Sequence, residues 1–157
     1  VITNNVTRLL DSKNIVYFTV EIPAEKLGAV ETADYLKVPP SMIYKTIVLL
    51  REKKGKSILA VVPGDLRVDL KSVAAILGEK KVSTATEKEA ESLTGLKVGG
   101  ISALALLNRD FEILLDDSAA NLEEFYVSGG MCGLMIQMRV NDFQSITSAR
   151  MASIAIG

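Results

Sequence analysis

Apolar positions along this chain alternate between a helical and a strand-like period. Val6, Leu9 and Leu10 stand at helical spacing behind the capping-type residues Thr3 to Asn5, and Ile15 to Val20 follows as a β-rich run. Ala29, Val30, Ala33 and Leu36 predict a second helix. Pro39 and Pro40 stop it, because proline lacks an amide hydrogen and disfavours helical geometry in the residue before it. Tyr44 to Leu50 and Ser57 to Val62 are apolar, β-branched runs, and the polar, glycine-containing turn at 51–56 between them predicts a β-hairpin with central strands. Asp69 caps a predicted helix from Leu70 to Leu77 with Gly78 as its left-handed stop, and Thr86 with Glu89 forms the capping box of a helix ending near Gly95. Phe111 to Leu115, Phe125 to Ser128 and Leu134 to Val140 are further strands. Asn141 opens a short helical pattern before a weak segment from Arg150 to Ile156. Hairpins mixed among helices predict an α/β chain of the α+β type, with a mixed, largely antiparallel, barrel-like sheet surrounded by helices.

The chain has 157 residues, 48% of them hydrophobic, with no internal repeat and no Pro/Gly/Ser-rich linker, so one domain over 1–157 is expected. No run approaches 18 consecutive apolar residues, and residues 1–14 lack a charged flank followed by an apolar core; a cytoplasmic protein without membrane association is the expectation. Charge adds little: 18 Lys and Arg against 19 Asp and Glu leave −1, which marks no general polyanion binder and gives no reason to expect DNA. Histidine changes the picture by its absence. Ser-His-Asp and Cys-His catalysis, HExxH zinc sites and imidazole acid/base chemistry all require it. The single cysteine, Cys132, excludes an internal disulfide or a cysteine-only zinc cluster, and the lack of Trp provides poorly for stacking on single-stranded nucleic acid.

Three places remain for chemistry. Lys45 falls inside an apolar strand, and alternation puts it on one face with Ile47 and Leu49; it reads either as a cation that needs a partner or as a strand-end lysine with its head in water. Val98-Gly99-Gly100-Ile101-Ser102 reads either as a turn whose amides face an anionic or carbonyl oxygen or as a tight turn with Ser102 as a cap. Tyr126-Val127-Ser128-Gly129-Gly130-Met131-Cys132-Gly133 reads as a glycine-rich hairpin rather than a phosphate loop, since no Lys-Ser/Thr pair follows. Cys132, without an activating base, reads as an inert thiol. Asp116-Asp117 reads as a solvated strand end, and the Lys53 to Lys56 and Lys80-Lys81 runs as exposed turns.

Taken in order, Gly28-Ala29-Val30-Glu31-Thr32-Ala33, Tyr44-Lys45-Thr46, Ala60-Val61-Val62-Pro63-Gly64-Asp65, Val98-Gly99-Gly100-Ile101-Ser102 and Tyr126-Val127-Ser128-Gly129-Gly130 resemble the YbaK/ProX-type aminoacyl-tRNA editing domains, from about Val6 to Ile154. The resemblance implies a free-standing deacylase, related to the insertion editing domain of bacterial prolyl-tRNA synthetases, that cleaves the ester of mischarged tRNA of the Cys-tRNA-Pro, Cys-tRNA-Cys or Ala-tRNA-Pro type. It implies a mixed, barrel-like sheet, no metal or other cofactor and no protein nucleophile. Lys45 matches the lysine most required for deacylation. Thr46, Gly99, Gly100, Ile101, Ser102, Ser128, Gly129 and Gly130 match the surroundings of the substrate. The implied partners are the 3′ end of aminoacyl-tRNA and a prolyl-tRNA synthetase.

The chemistry follows from an ester carbonyl that gains negative charge under attack. Amides of Gly100 and Ile101, with Ser128, can stabilise that oxygen, while Lys45 supplies a donor to the carbonyl or to the terminal adenosine; the nucleophile is water or a thiol or hydroxyl of the substrate. The chain also departs from the family pattern. Met131 and Cys132 replace a Lys-Arg pair, Met135 an acidic residue, Ala103 and Ala105 a Pro and a Gly, and Ile22 a tyrosine. Two other readings therefore stand beside hydrolysis: a non-catalytic module that binds aminoacyl-tRNA or a synthetase, and a protein whose glycine loops serve only as turns.

Overall fold

The computed structural model describes residues 2–23 and 28–157. Its helices are α1 (Asn5–Ser12), α2 (Ala29–Leu36), α3 (Leu70–Leu77), α4 (Glu87–Thr94) and α5 (Val140–Thr147). Its strands are β1 (Tyr17–Glu21), β2 (Tyr44–Arg51), β3 (Ser57–Pro63), β4 (Arg67–Val68), β5 (Val82–Thr84), β6 (Phe111–Asp116), β7 (Glu124–Ser128), β8 (Leu134–Arg139), β9 (Arg150–Ala152) and β10 (Ala155–Ile156).

The helix signals are local and the structure repeats them. Asp69 accepts from the Ser72 amide at the start of α3, and Gly78 ends that helix with φ 69°. Thr86 and Glu89 close the box at the start of α4. α2 stops at Leu36 with Lys37 in the left-handed region at φ 58°, ahead of the two prolines. β4 and β5 are short, and no alternation in the sequence announces them.

The strands form three sheets of order β5-β2-β3-β6-β9, β1-β8-β7 and β4-β10. The first is mixed: β3 pairs antiparallel with β2 and parallel with β6. A parallel bridge between Ile43 and Tyr126 links it to the second sheet, so the sheets wrap around a core without closing into a barrel. β3 explains why its segment carries almost no polar residue. Leu59 and Val61 pack into a core with Tyr44, Val48, Ile113, Leu115, Phe125 and Phe143, while Ile58, Ala60 and Val62 face Leu49, Val73, Leu114 and Ile154 on the other side. Tyr44, Phe125 and Phe143 pack in series, tilted and then edge to face, with ring centroids 5.1 and 5.2 Å apart.

One expectation is corrected. Asp116 is not a solvated strand end: it is buried at the end of β6. Its Oδ1 accepts the amides of Ile154 and Ala155, each at 3.0 Å, and its Oδ2 accepts the amide and hydroxyl of Ser118. A carboxylate with four donors tolerates burial, and here it fastens the C-terminal segment to the central sheet. The lysines at 53, 54, 56, 80 and 81 are exposed, as read.

Candidate active site in a cleft beside the second strand

A cleft of about 530 Å³ opens along β2. Its walls include Ile22, Ala29, Ile43, Val98, Ile101 and Met135, and its polar groups come from Lys45, Thr46, Thr84, Glu87 and Ser128. It exists because β2 is paired with β3 from Tyr44 to Leu49 but only partly paired on its other side. On the other side β5 is registered against Leu49 to Arg51, and β7 meets the chain at Ile43.

Lys45 is half-buried at this cleft, and its Nζ donates to the Gly64 carbonyl at 3.2 Å. Burial holds the ammonium below the usual lysine range, and the negative charge of Asp65 draws it partly back. The strand-end reading with a fully hydrated head therefore does not describe it. Neither Gly64 nor Asp65 receives a role from the sequence pattern, although both stand in the Pro63-Gly64-Asp65 segment that ends β3.

The structure brings Lys45, Thr46, Gly99, Ile101 and Ser128 to the cleft. The Ser128 hydroxyl oxygen accepts the Gly130 amide at 3.3 Å, which leaves its proton to donate elsewhere. The Ile101 amide has no backbone partner among the described residues.

Gly100, Ser102, Gly129 and Gly130 are not among the residues lining the cleft, and each has another task. The Gly100 amide donates to the Lys97 carbonyl at 2.8 Å, within its own turn. A side chain at Gly100 would lie 2.9 Å from the backbone of Met131 and Cys132, which shows that the two glycine-rich turns pack back to back. Ser102 is buried and accepts the Leu104 amide as a cap. The Gly129 carbonyl accepts from Asn4 Nδ2, which ties α1 to this turn. Gly130 has φ 92° and abuts Val6 and Ala105. Cys132 lies behind Gly99 with its thiol 3.6 Å from the Val98 carbonyl.

The sequence pattern left most of the apolar wall unassigned. Ala29 and Thr32 come from the first turns of α2, and Thr84, Ala85 and Glu87 from the junction of β5 with α4. Only the three-dimensional pairing places these beside Lys45. Among the described residues no His/Cys/Asp/Glu cluster with metal-binding geometry is found, and no described helix is long and apolar enough to cross a membrane.

Comparison with known proteins places the chain in a family. The chain is 30% identical over 152 residues to EbsC of Enterococcus faecalis, named as a candidate Cys-tRNA(Pro)/Cys-tRNA(Cys) deacylase, covering 96% of this chain and 92% of that one. It is 27% identical over 143 residues to the proline–tRNA ligase of Thermodesulfovibrio yellowstonii, covering 87% of this chain and 24% of the ligase. Two crystal structures share the fold. Hypothetical protein APE2540 matches with a TM-score of 0.89 at 23% identity, over 98% of this chain and 100% of that one. A candidate trans-editing enzyme for prolyl tRNA synthetase matches with a TM-score of 0.82 at 24% identity, over 100% of both chains. The family model described as the aminoacyl-tRNA editing domain matches residues 24–146, and the chain belongs to that family, of YbaK type.

Proposed function

We propose that this protein hydrolyses, in trans, the ester that joins a small amino acid to the 3′-terminal adenosine of a mischarged tRNA. The carrying observation is that the half-buried Lys45 ammonium shares one cleft with Gly99, Ile101 and Ser128. Water attacks the carbonyl carbon directly, or a thiol of the substrate does so first to give a thiolactone that water then opens, and the negative charge that develops on oxygen is met by the Ile101 amide and the Ser128 hydroxyl. The carbon–oxygen bond to the ribose then breaks, the ribose oxygen takes a proton, and the products are the free amino acid and deacylated tRNA. Lys45 is the catalytic cation, holding the carbonyl or the adenosine end by a charge-assisted hydrogen bond. Thr46 and Gly99 line the bound acyl group, while Gly100, Ser102, Gly129 and Gly130 shape the two turns behind it.

The apolar wall of Ile22, Ala29, Ile43 and Met135 suits an uncharged side chain, which supports Cys-tRNA-Pro, Cys-tRNA-Cys or Ala-tRNA-Pro as the substrate class. The names of the relatives point the same way. A net charge of −1 gives weak general attraction to tRNA, so we infer that a prolyl-tRNA synthetase assists delivery in the cytoplasm. The whole chain works as one editing unit in this reading, with no cofactor.

Exposed Met131 at the second glycine turn, a departure from the family pattern the sequence resembles, favours one competitor: a module that binds aminoacyl-tRNA or a synthetase without cleaving the ester. Incubation with Cys-, Ala- and Ser-charged tRNA-Pro and with other charged tRNAs separates the two. Release of one amino acid, lost in Lys45→Ala, is expected. Tight binding across the panel with no release supports the competitor.

A further inference from the structure

The two strand registers fix where the backbone of β2 points. The Gly64 amide donates to the Ile43 carbonyl at 2.6 Å, so Ile43, and by alternation Lys45 and Ile47, turn their backbone groups toward β3. Tyr44, Thr46 and Val48 turn theirs the other way, and the Ala85 amide confirms this by donating to the Val48 carbonyl at 3.0 Å. The β5 register stops there, because Thr86 caps α4 and the chain leaves the sheet. The bridge to β7 stops at Ile43 and Tyr126. Thr46 lies between these two limits, and neither register reaches it. By alternation its N–H and C=O lie on the edge of β2 away from β3, Thr46 lines the cleft, and continuing the β5 register would set Glu87 opposite them.

A carbonyl at a largely apolar cleft is costly to leave unpaired, and its strongest partner is a cationic donor. Lys45 gives one N–H to the Gly64 carbonyl and, in the reading above, directs its charge to the ester carbonyl or the adenosine, which leaves the Thr46 carbonyl to another cation. Glu87, at the rim of the same cleft, adds negative potential beside the carbonyl. Glu87 already has a partner within the folded chain, so the Thr46 carbonyl is the primary acceptor.

From this geometry we infer that the free edge of β2 at Thr46, with Glu87 beside it, binds the α-ammonium group of the acyl moiety. This rests on the aminoacyl-ester reading above and deepens it: the site takes α-aminoacyl esters and discriminates against acyl groups whose amine is blocked or missing.

The test compares three non-hydrolysable ligands by calorimetry: adenosine carrying alanine in amide linkage at the 3′ position, the propionyl counterpart lacking the amine, and the N-acetylalanyl counterpart. The alanyl ligand is expected to bind about tenfold or more tightly than either. Glu87→Gln is expected to weaken the alanyl ligand more than the propionyl one. Equal affinities, or no binding by any of the three, overturn the inference. An unchanged ratio in Glu87→Gln removes that residue from it. Esters of the same acyl groups on tRNA separate this outcome from the activity. Preference for the alanyl amide with no ester cleaved leaves the inference standing and defeats the hydrolase. Equal cleavage of alanyl and propionyl esters does the reverse.

Discussion

Lys45 is held at the cleft by the carbonyl of Gly64, nineteen residues along the chain, and not by a carboxylate. A neutral acceptor orients the ammonium without cancelling its charge, so the charge stays available to a substrate oxygen. Asp65 contributes at longer range, enough to oppose the effect of burial but not to reverse it.

The titration of Lys45 follows from those two causes. Burial favours the neutral amine and Asp65 the ammonium, with burial the larger, so Lys45 loses its proton at a lower pH than an ordinary lysine side chain. Lysine-selective carbon labelling and NMR should show this, and Asp65→Asn should move the midpoint lower still. Deacylation that needs the ammonium is complete below that midpoint and declines as pH rises through it. An Asp65→Asn variant whose Lys45 titrates higher contradicts the assignment.

Gly64 also couples Lys45 to α2. A Cβ at Gly64 would lie 2.2 Å from the Ala29 Cβ and 3.1 Å from the Ile43 carbonyl oxygen. Gly64→Ala is therefore expected to push the first turn of α2 away, shift the acceptor of Lys45 and lower activity about tenfold or more. Ala29→Gly in the same chain restores room and should recover part of the loss. No rescue by the second substitution contradicts this cause.

Met135 closes the cleft near Ile22 and Ile43 and is itself buried. Met135→Ala enlarges the site, and the relative deacylation rate for a larger apolar acyl group such as valyl should rise about tenfold. Thermal unfolding should show a stability cost of about 2 kcal/mol. A size preference unchanged in this variant removes Met135 from the selecting wall.

Asp116→Ala tests the fold apart from the site. It leaves the Ile154 and Ala155 amides and the Ser118 groups without their acceptor. Denaturant unfolding should show a loss on the order of 3 kcal/mol. Asp116→Asn, which keeps a carbonyl oxygen, should lose less. A loss within a few tenths of a kcal/mol contradicts the structural role.

Particular residues show what the sequence makes legible. The caps at Asp69 and Thr86 and the left-handed Gly78 are signals carried by neighbours within four positions, and they place α3 and α4 directly. The unbroken apolar run of β3 marks a strand buried on both faces. Lys45 stands out because a cation interrupts such a run. The bond to Gly64 does not, because it depends on the β2–β3 register. Asp116 misleads for the same reason, since its four donors come from Ser118 next door and from a segment 38 residues on. Gly100 looks like an amide donor to a ligand; its amide donates to Lys97, and its lack of a side chain serves the close approach of Met131 and Cys132. Thr46 carries no sequence signal as a backbone acceptor. Its place on the edge of β2 depends on where the β5 register stops.

The most direct measurement is single-turnover deacylation of charged tRNA by the protein and by Lys45→Ala, with circular dichroism to show that both are folded. Release of the amino acid by the protein and a loss of roughly a hundredfold or more in the variant are expected. Equal rates for the two folded proteins would contradict the catalytic role of Lys45.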